Sequence, residues 1–186
     1  MSGEGDLRGR LLVATPLIAD PNFARTVVLV LEHDAADGAI AVVVNRPSDL
    51  EVAEALADWR DVVTEPRVVF FGGPVSQGSA IALAEAPGVH ADWFSPVVGP
   101  LGMVDLDVEP TVVGPSVTRA RVFSGYAGWG TGQLEAEIDE GSWFVVDPSP
   151  DDALGTRRDG LWHEVLRRQR GRVAWFSQYP DDVSAN

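Results

Sequence analysis

The sequence predicts an α+β protein: a single compact domain with a mixed, largely antiparallel curved sheet and several short helices. Two observations carry this. Aliphatic and β-branched runs outnumber stretches of helical periodicity. Consecutive runs are separated by turn signals, not by crossover helices. The 186 residues suit one core, so the domain is taken as 1–186, with flexible ends at 1–7 and 180–186.

Residues 8–14 read as a first strand, and Thr15-Pro16 and Asp20-Pro21-Asn22 as an irregular connection. Residues 26–31 and 39–44 are unbroken apolar runs, which implies strands covered on both faces. Asp37-Gly38 between them marks a hairpin. Ser48, with Glu51 three residues on, has the form of a capping box. It predicts a helix after Pro47 that buries Leu50, Ala53 and Leu56. Residues 67–71 and 79–84 read as strands. The Pro- and Gly-rich region 87–114 holds short strands around Val97 and at 103–106.

Residues 118–123 alternate as a half-exposed strand, with Arg119 and Arg121 on one face. Thr131 is placed to cap a helix reaching Glu140, with Leu134 and Ile138 on one side. Residues 142–146 form a strand, and Pro150 starts a short helix. Asp159 is placed to cap a last helix with an apolar stripe of Leu161, Trp162, Val165 and Leu166.

Composition excludes several chemistries. The chain has no cysteine, hence no disulfide, thiolate metal site or cysteine nucleophile. All fourteen basic residues are arginine, so there is no Schiff-base or phosphate-loop lysine. A net charge of −14 repels nucleic-acid phosphates and anionic membranes, which argues against direct DNA binding and membrane docking. No apolar run is long enough to span a bilayer and no signal-peptide pattern opens the chain, so a cytoplasmic protein is expected.

The segment from Phe123 to Ile138 is the most distinctive: Gly125-Tyr126-Ala127-Gly128-Trp129, then Gly130, Gly132-Gln133-Leu134-Glu135. It resembles the signature of the AlgH/YqgE family. Further blocks support the resemblance: Asp20-Pro21-Asn22-Phe23 with Arg25, Glu32-His33, Asn45-Arg46-Pro47, Gly72-Gly73-Pro74-Val75, and Trp143. Ala41 stands where that family commonly has glycine, and Ala84-Glu85 where a histidine is expected. The resemblance implies a single domain of mixed α and β structure. Its members are commonly labelled bacterial transcriptional regulators, a label of genetic origin that implies no DNA contact and no defined activity.

Four constellations remain as candidates. Glu32-His33-Asp34 could serve acid–base chemistry or a metal, but strand alternation turns His33 away from its neighbours. The bland alternative is a hydrogen-bonded turn histidine with solvated acids. Arg25, Asn45 and Arg46 fall at one end of the hairpin, where they could clamp a carboxylate or phosphate or else pair with acids internally. Gly72, Gly73 and Pro74 form a tight turn that lacks a P-loop ending. Tyr126, Trp129, Gln133 and Glu135 either line a pocket or build a rigid corner, and one of Gln133 and Glu135 is free to satisfy backbone donors.

No motif calls for a cofactor or a metal, and no catalytic residue is assigned. The reading favoured by the sequence is an indirect regulator acting through a protein partner or a small anionic ligand. Its rivals are an enzyme using His33 with Glu32 or Arg46, and nucleic-acid binding through the basic stretch from Arg157 to Arg172.

Overall fold

The structure is a computed structural model and describes residues 5–34, 36–156 and 159–180. Ten strands dominate it: β1 (Leu11–Ala14), β2 (Val27–Asp34), β3 (Gly38–Val43), β4 (Pro47–Glu51), β5 (Val68–Phe71), β6 (Val75–Glu85), β7 (Phe94–Val98), β8 (Leu101–Val104), β9 (Arg119–Trp129) and β10 (Trp143–Val146). Six short helices accompany them: α1 (Val52–Ala55), α2 (Pro110–Val113), α3 (Gln133–Asp139), α4 (Asp151–Leu154), α5 (Leu161–Arg167) and α6 (Arg172–Trp175). The strands run β10-β1-β2-β3-β9-β6-β8-β7 across one curled sheet, with β4 paired to β5 beside it. Every pairing is antiparallel except β5 with β9, so the sheet is mixed and largely antiparallel, as the sequence predicts.

The unbroken apolar runs are explained by two covered faces. Along β1 and β2, alternate residues enter different clusters: Leu11, Val13, Leu29 and Leu31 pack with α5, while Leu12, Ala14, Val28 and Val30 pack beneath α3. Each such leucine or valine side chain, fully withdrawn from water, contributes about 1.5–3 kcal/mol. The stripe Leu161, Trp162, Val165 and Leu166 is buried as predicted, and the Trp162 indole donates to the carbonyl of Ala14 at 2.8 Å. A third cluster, centred on Trp59, Phe94 and Val122, lies under α1 and α2.

Three local predictions are overturned. Residues 47–51 form β4, not a helix; Leu50 is exposed, the helix is confined to α1, and Val52 is its buried residue. The Ser48 hydroxyl donates to the Val69 carbonyl and accepts from the Leu50 amide, so it serves strand pairing. Neither Thr131 nor Asp159 caps a helix: Gly132 and Gly160, both left-handed, occupy the N-cap positions of α3 and α5. The sequence assigns the glycine-aromatic segment no element between the strand ending at Phe123 and the helix after Thr131. In the structure that segment continues β9 as far as Trp129.

Arg121 is also displaced from its expected exposed face, being only 1% exposed. Its guanidinium lies 4.3 Å from the Phe70 ring centroid and donates to the carbonyls of Ala153, Gly155 and Glu65. It fastens the α4 loop to the sheet. Of the ends expected to be flexible, residues 1–4 and 181–186 lie outside the described residues. Leu7 and Pro180 are held by contacts with His33 and Arg25.

Candidate functional site: the corner of β9 and α3

The site begins with cross-strand rows. Glu32, Ile40 and Gly128 are successive partners across β2, β3 and β9, and His33, Ala39 and Trp129 form the adjacent row. Adjacent rows face opposite sides of a sheet. Glu32 and His33 therefore point apart, as the sequence predicts, and a bulge at Leu31 sets the register.

The His33 side chain is only 5% exposed. Its Nδ1 accepts the Leu7 amide at 3.2 Å, which leaves the proton of the neutral ring on Nε2, 2.7 Å from Glu135 Oε1. Glu135's own backbone amide, and then His33, hold this carboxyl below the usual glutamate range. His33 is thus a structural link between the N-terminal segment and α3, and the carboxylates beside it are Glu135, hydrogen-bonded, and Asp6, 3.7 Å from Nδ1, not Glu32.

Tight backbone contacts explain two glycines of this corner. A Cβ on Gly38 would lie 2.1 Å from the Trp129 carbonyl oxygen, and one on Gly73 would lie 2.1 Å from the Tyr126 carbonyl carbon. Gly72 bridges two strands, donating to Ser124 and accepting from Val43, each at 2.8 Å, while Pro74 is exposed. Gly73 thus lies directly against the backbone of Tyr126.

Arg25, Asn45 and Arg46 do gather at one end of the β2–β3 hairpin, where they serve the chain's own backbone. Asn45 accepts the Val27 amide and donates to the Arg25 carbonyl. The Arg46 guanidinium donates to the carbonyls of Pro21 (2.6 Å), Asn22 (3.1 Å) and Ala24 (2.9 Å). Burial lowers its pKa and Asp20 raises it, and an arginine stays charged through such shifts. The Arg25 guanidinium lies 5.1 Å from the Trp162 ring centroid and donates to the Pro180 carbonyl.

Two concavities flank β9, and Gly128 and Trp129 line both. The first, about 510 Å³, is bordered by Glu32, Asp34, Asp37 and Tyr126, with Arg8 as its one cation among the described lining residues. The second, about 300 Å³, is lined by Asp20, Phe23, Trp129, Gln133, Glu137 and Trp143. Here three rings pack edge-on or tilted, their centroids 5.8–6.3 Å apart. Glu137 Oε2 accepts both the Trp129 and the Trp143 indole N–H at 2.9 Å, and its Oε1 accepts the Gln133 amide at 3.0 Å. Gln133 Oε1 in turn accepts the Gly130 backbone donor, the turn-satisfying role that the sequence left open for Gln133 or Glu135.

Of the residues singled out from sequence, Glu32, His33, Tyr126, Trp129 and Gln133 line one or other concavity. Arg25, Asn45 and Arg46 line neither, although Arg46 holds the loop that carries Asp20 and Phe23 into the second. Glu137 was missed by sequence reasoning. The signal for it was its place between Trp129 and Trp143, with both indoles in reach once α3 folds. Among the described residues, no group of three or more His, Asp or Glu could hold a metal ion.

The fold and this corner define a curled-sheet α+β protein whose distant segments meet around Trp129. Residues 11–174 match the family described as AlgH-like, and the chain belongs to that family. A UPF0301 protein of Streptomyces coelicolor is 50% identical, with the match covering 100% of this chain and 98% of the relative. A UPF0301 protein of Thermobifida fusca is 44% identical over 97% and 96% of the two chains. The crystal structure of a Corynebacterium diphtheriae protein superimposes with a TM-score of 0.88 at 32% identity, covering 96% and 95%. The solution structure of the AlgH protein from Pseudomonas aeruginosa gives 0.73 at 28%, covering 98% of each.

Proposed function

We propose that this protein acts by binding a protein partner at the β9–α3 corner, and that any effect on transcription is indirect. The observation that carries this reading is the pair of concavities sharing Trp129, beside which His33 and Arg46 are already committed to the fold. His33 uses both ring nitrogens, and Arg46 is spread over three loop carbonyls. This favours a recognition surface over a proton-transfer site. Between the two occupants suggested by sequence, the acidic lining of the first concavity favours a partner with basic groups over a small anion.

The rival nucleic-acid surface draws on a basic stretch of which Arg157 and Arg158 lie outside the described residues. Within it, Arg168 is ion-paired with Asp152, whose side chain is 3% exposed, so part of that charge is spent inside the molecule. A photo-crosslinking residue at Asp37 or Ile40, introduced into cells, is expected to trap a discrete protein, and one at Val112, on the remote α2, is not. Equal trapping at both places, or tight salt-sensitive binding of duplex DNA by the purified protein, would overturn the proposal.

A further inference from the structure

We infer that the second concavity receives the cationic side chain, arginine or lysine, of that protein partner. The inference rests on the partner-binding reading and specifies its chemistry. The Glu137 carboxylate is partly buried, and its described hydrogen bonds come from neutral donors: two indoles and one amide. Its negative charge is oriented by these bonds and not cancelled by them. Asp20 adds a second carboxylate to the same walls, though Arg46 is close enough to act on it electrostatically.

Aromatic rings beside a carboxylate suit a cation that has to shed water, because ring faces attract positive charge where solvent is excluded. The rings are held in place beforehand. Phe23 rides on the loop clamped by Arg46, and both tryptophans are fixed through their indole N–H groups. A net charge of −14 draws cationic groups toward the surface in general, and this pocket supplies a specific end point.

Leu17 argues for a protein as the source of the cation. It is 75% exposed, and its Cδ1 lies 4.0 Å from where a Cβ on Gly141 would sit, next to Ser142 in the pocket wall. A free small amine would leave that aliphatic side chain bare. A polypeptide placing arginine or lysine in this concavity can cover it.

The experiment follows the indole N–H resonances of the full-length protein during titration with N-acetyl-arginine amide, with N-acetyl-glutamine amide as the neutral control. Saturable shifts of Trp129 and Trp143 are expected with the arginine compound, while Trp59, Trp93, Trp162 and Trp175 stay in place. Glu137→Gln, which keeps an acceptor oxygen and removes the charge, is expected to weaken binding about tenfold. Should that variant misfold, Asp20→Asn gives a second, smaller test.

No saturable shift in the wild type, or binding undiminished in Glu137→Gln, overturns the inference. A crosslinker at Leu17 tests the source in cells: adducts that form in wild type and disappear with Glu137→Gln support a protein cation. Adducts that persist in Glu137→Gln sink this inference and leave partner binding standing. Arginine-amide binding without any protein adduct at Leu17 overturns the protein source.

Discussion

His33 owes its tautomer to a main-chain amide, and Glu135 is the side chain that reads the consequence. Because Glu135's pKa is depressed in the folded protein, its contribution is fully present above the ordinary glutamate range. It disappears as pH falls through the folded value. Denaturant unfolding across pH is therefore expected to show wild type more stable than Glu135→Gln at neutral pH, with the gap closing in acid. The side chain is 45% exposed, so solvent screening keeps the difference below about 1 kcal/mol. Arg121→Ala is expected to cost far more, on the order of 3 kcal/mol in the same measurement, because three carbonyls lose a donor in a dry site. These residues also mark how far sequence reading reaches. Strand parity was sufficient to separate Glu32 from His33. It could not reveal that Arg121 faces inward, since a charged residue in an alternating strand reads as solvated until packing supplies carbonyls and a ring. Arg46 marks the same limit: its partners are carbonyls of a loop more than twenty residues away in sequence, which neither the anion clamp nor the internal acid pairing names.

At the scale of elements, the long apolar runs and the Asp37-Gly38 turn were enough to place β2 and β3 and to pair them. Gly38→Ala is predicted to destabilise the protein by about 2 kcal/mol or more, seen as a lower thermal midpoint. Its φ is +99°, and the added methyl collides with the backbone of β9. Leu166→Ala, at a fully buried position of α5, should cost about 2–5 kcal/mol in chemical denaturation. The failed elements have two causes. The Ser48–Glu51 capping signature is local, whereas the pairing of β4 with β5 recruits backbone donors that a short helix could not satisfy. Thr131 and Asp159 are good caps by type, yet the glycines that follow them enter left-handed conformations and take the helix starts. Residues 87–114 resisted assignment because Pro, Gly and short strands leave no period to read.

At the scale of the whole molecule, 28 acidic residues stand against 14 arginines, and the surplus repels itself in the compact state. Raising ionic strength with sodium chloride is expected to raise the thermal midpoint, since screening relieves that repulsion. An unchanged or lower midpoint would show that local ion pairs, such as Arg119 with Glu85 and Asp151, outweigh the general field. The sheet itself has a temporal consequence. Strand β9 pairs with β3 near its end and with β5 and β6 earlier along its length. The N-terminal ribbon of β1, β2 and β3 thus has an unsealed flank until residue 129 has left the ribosome. During synthesis, roughly the first two thirds of the polypeptide must wait with sticky backbone exposed, and a single late-arriving strand closes both halves at once.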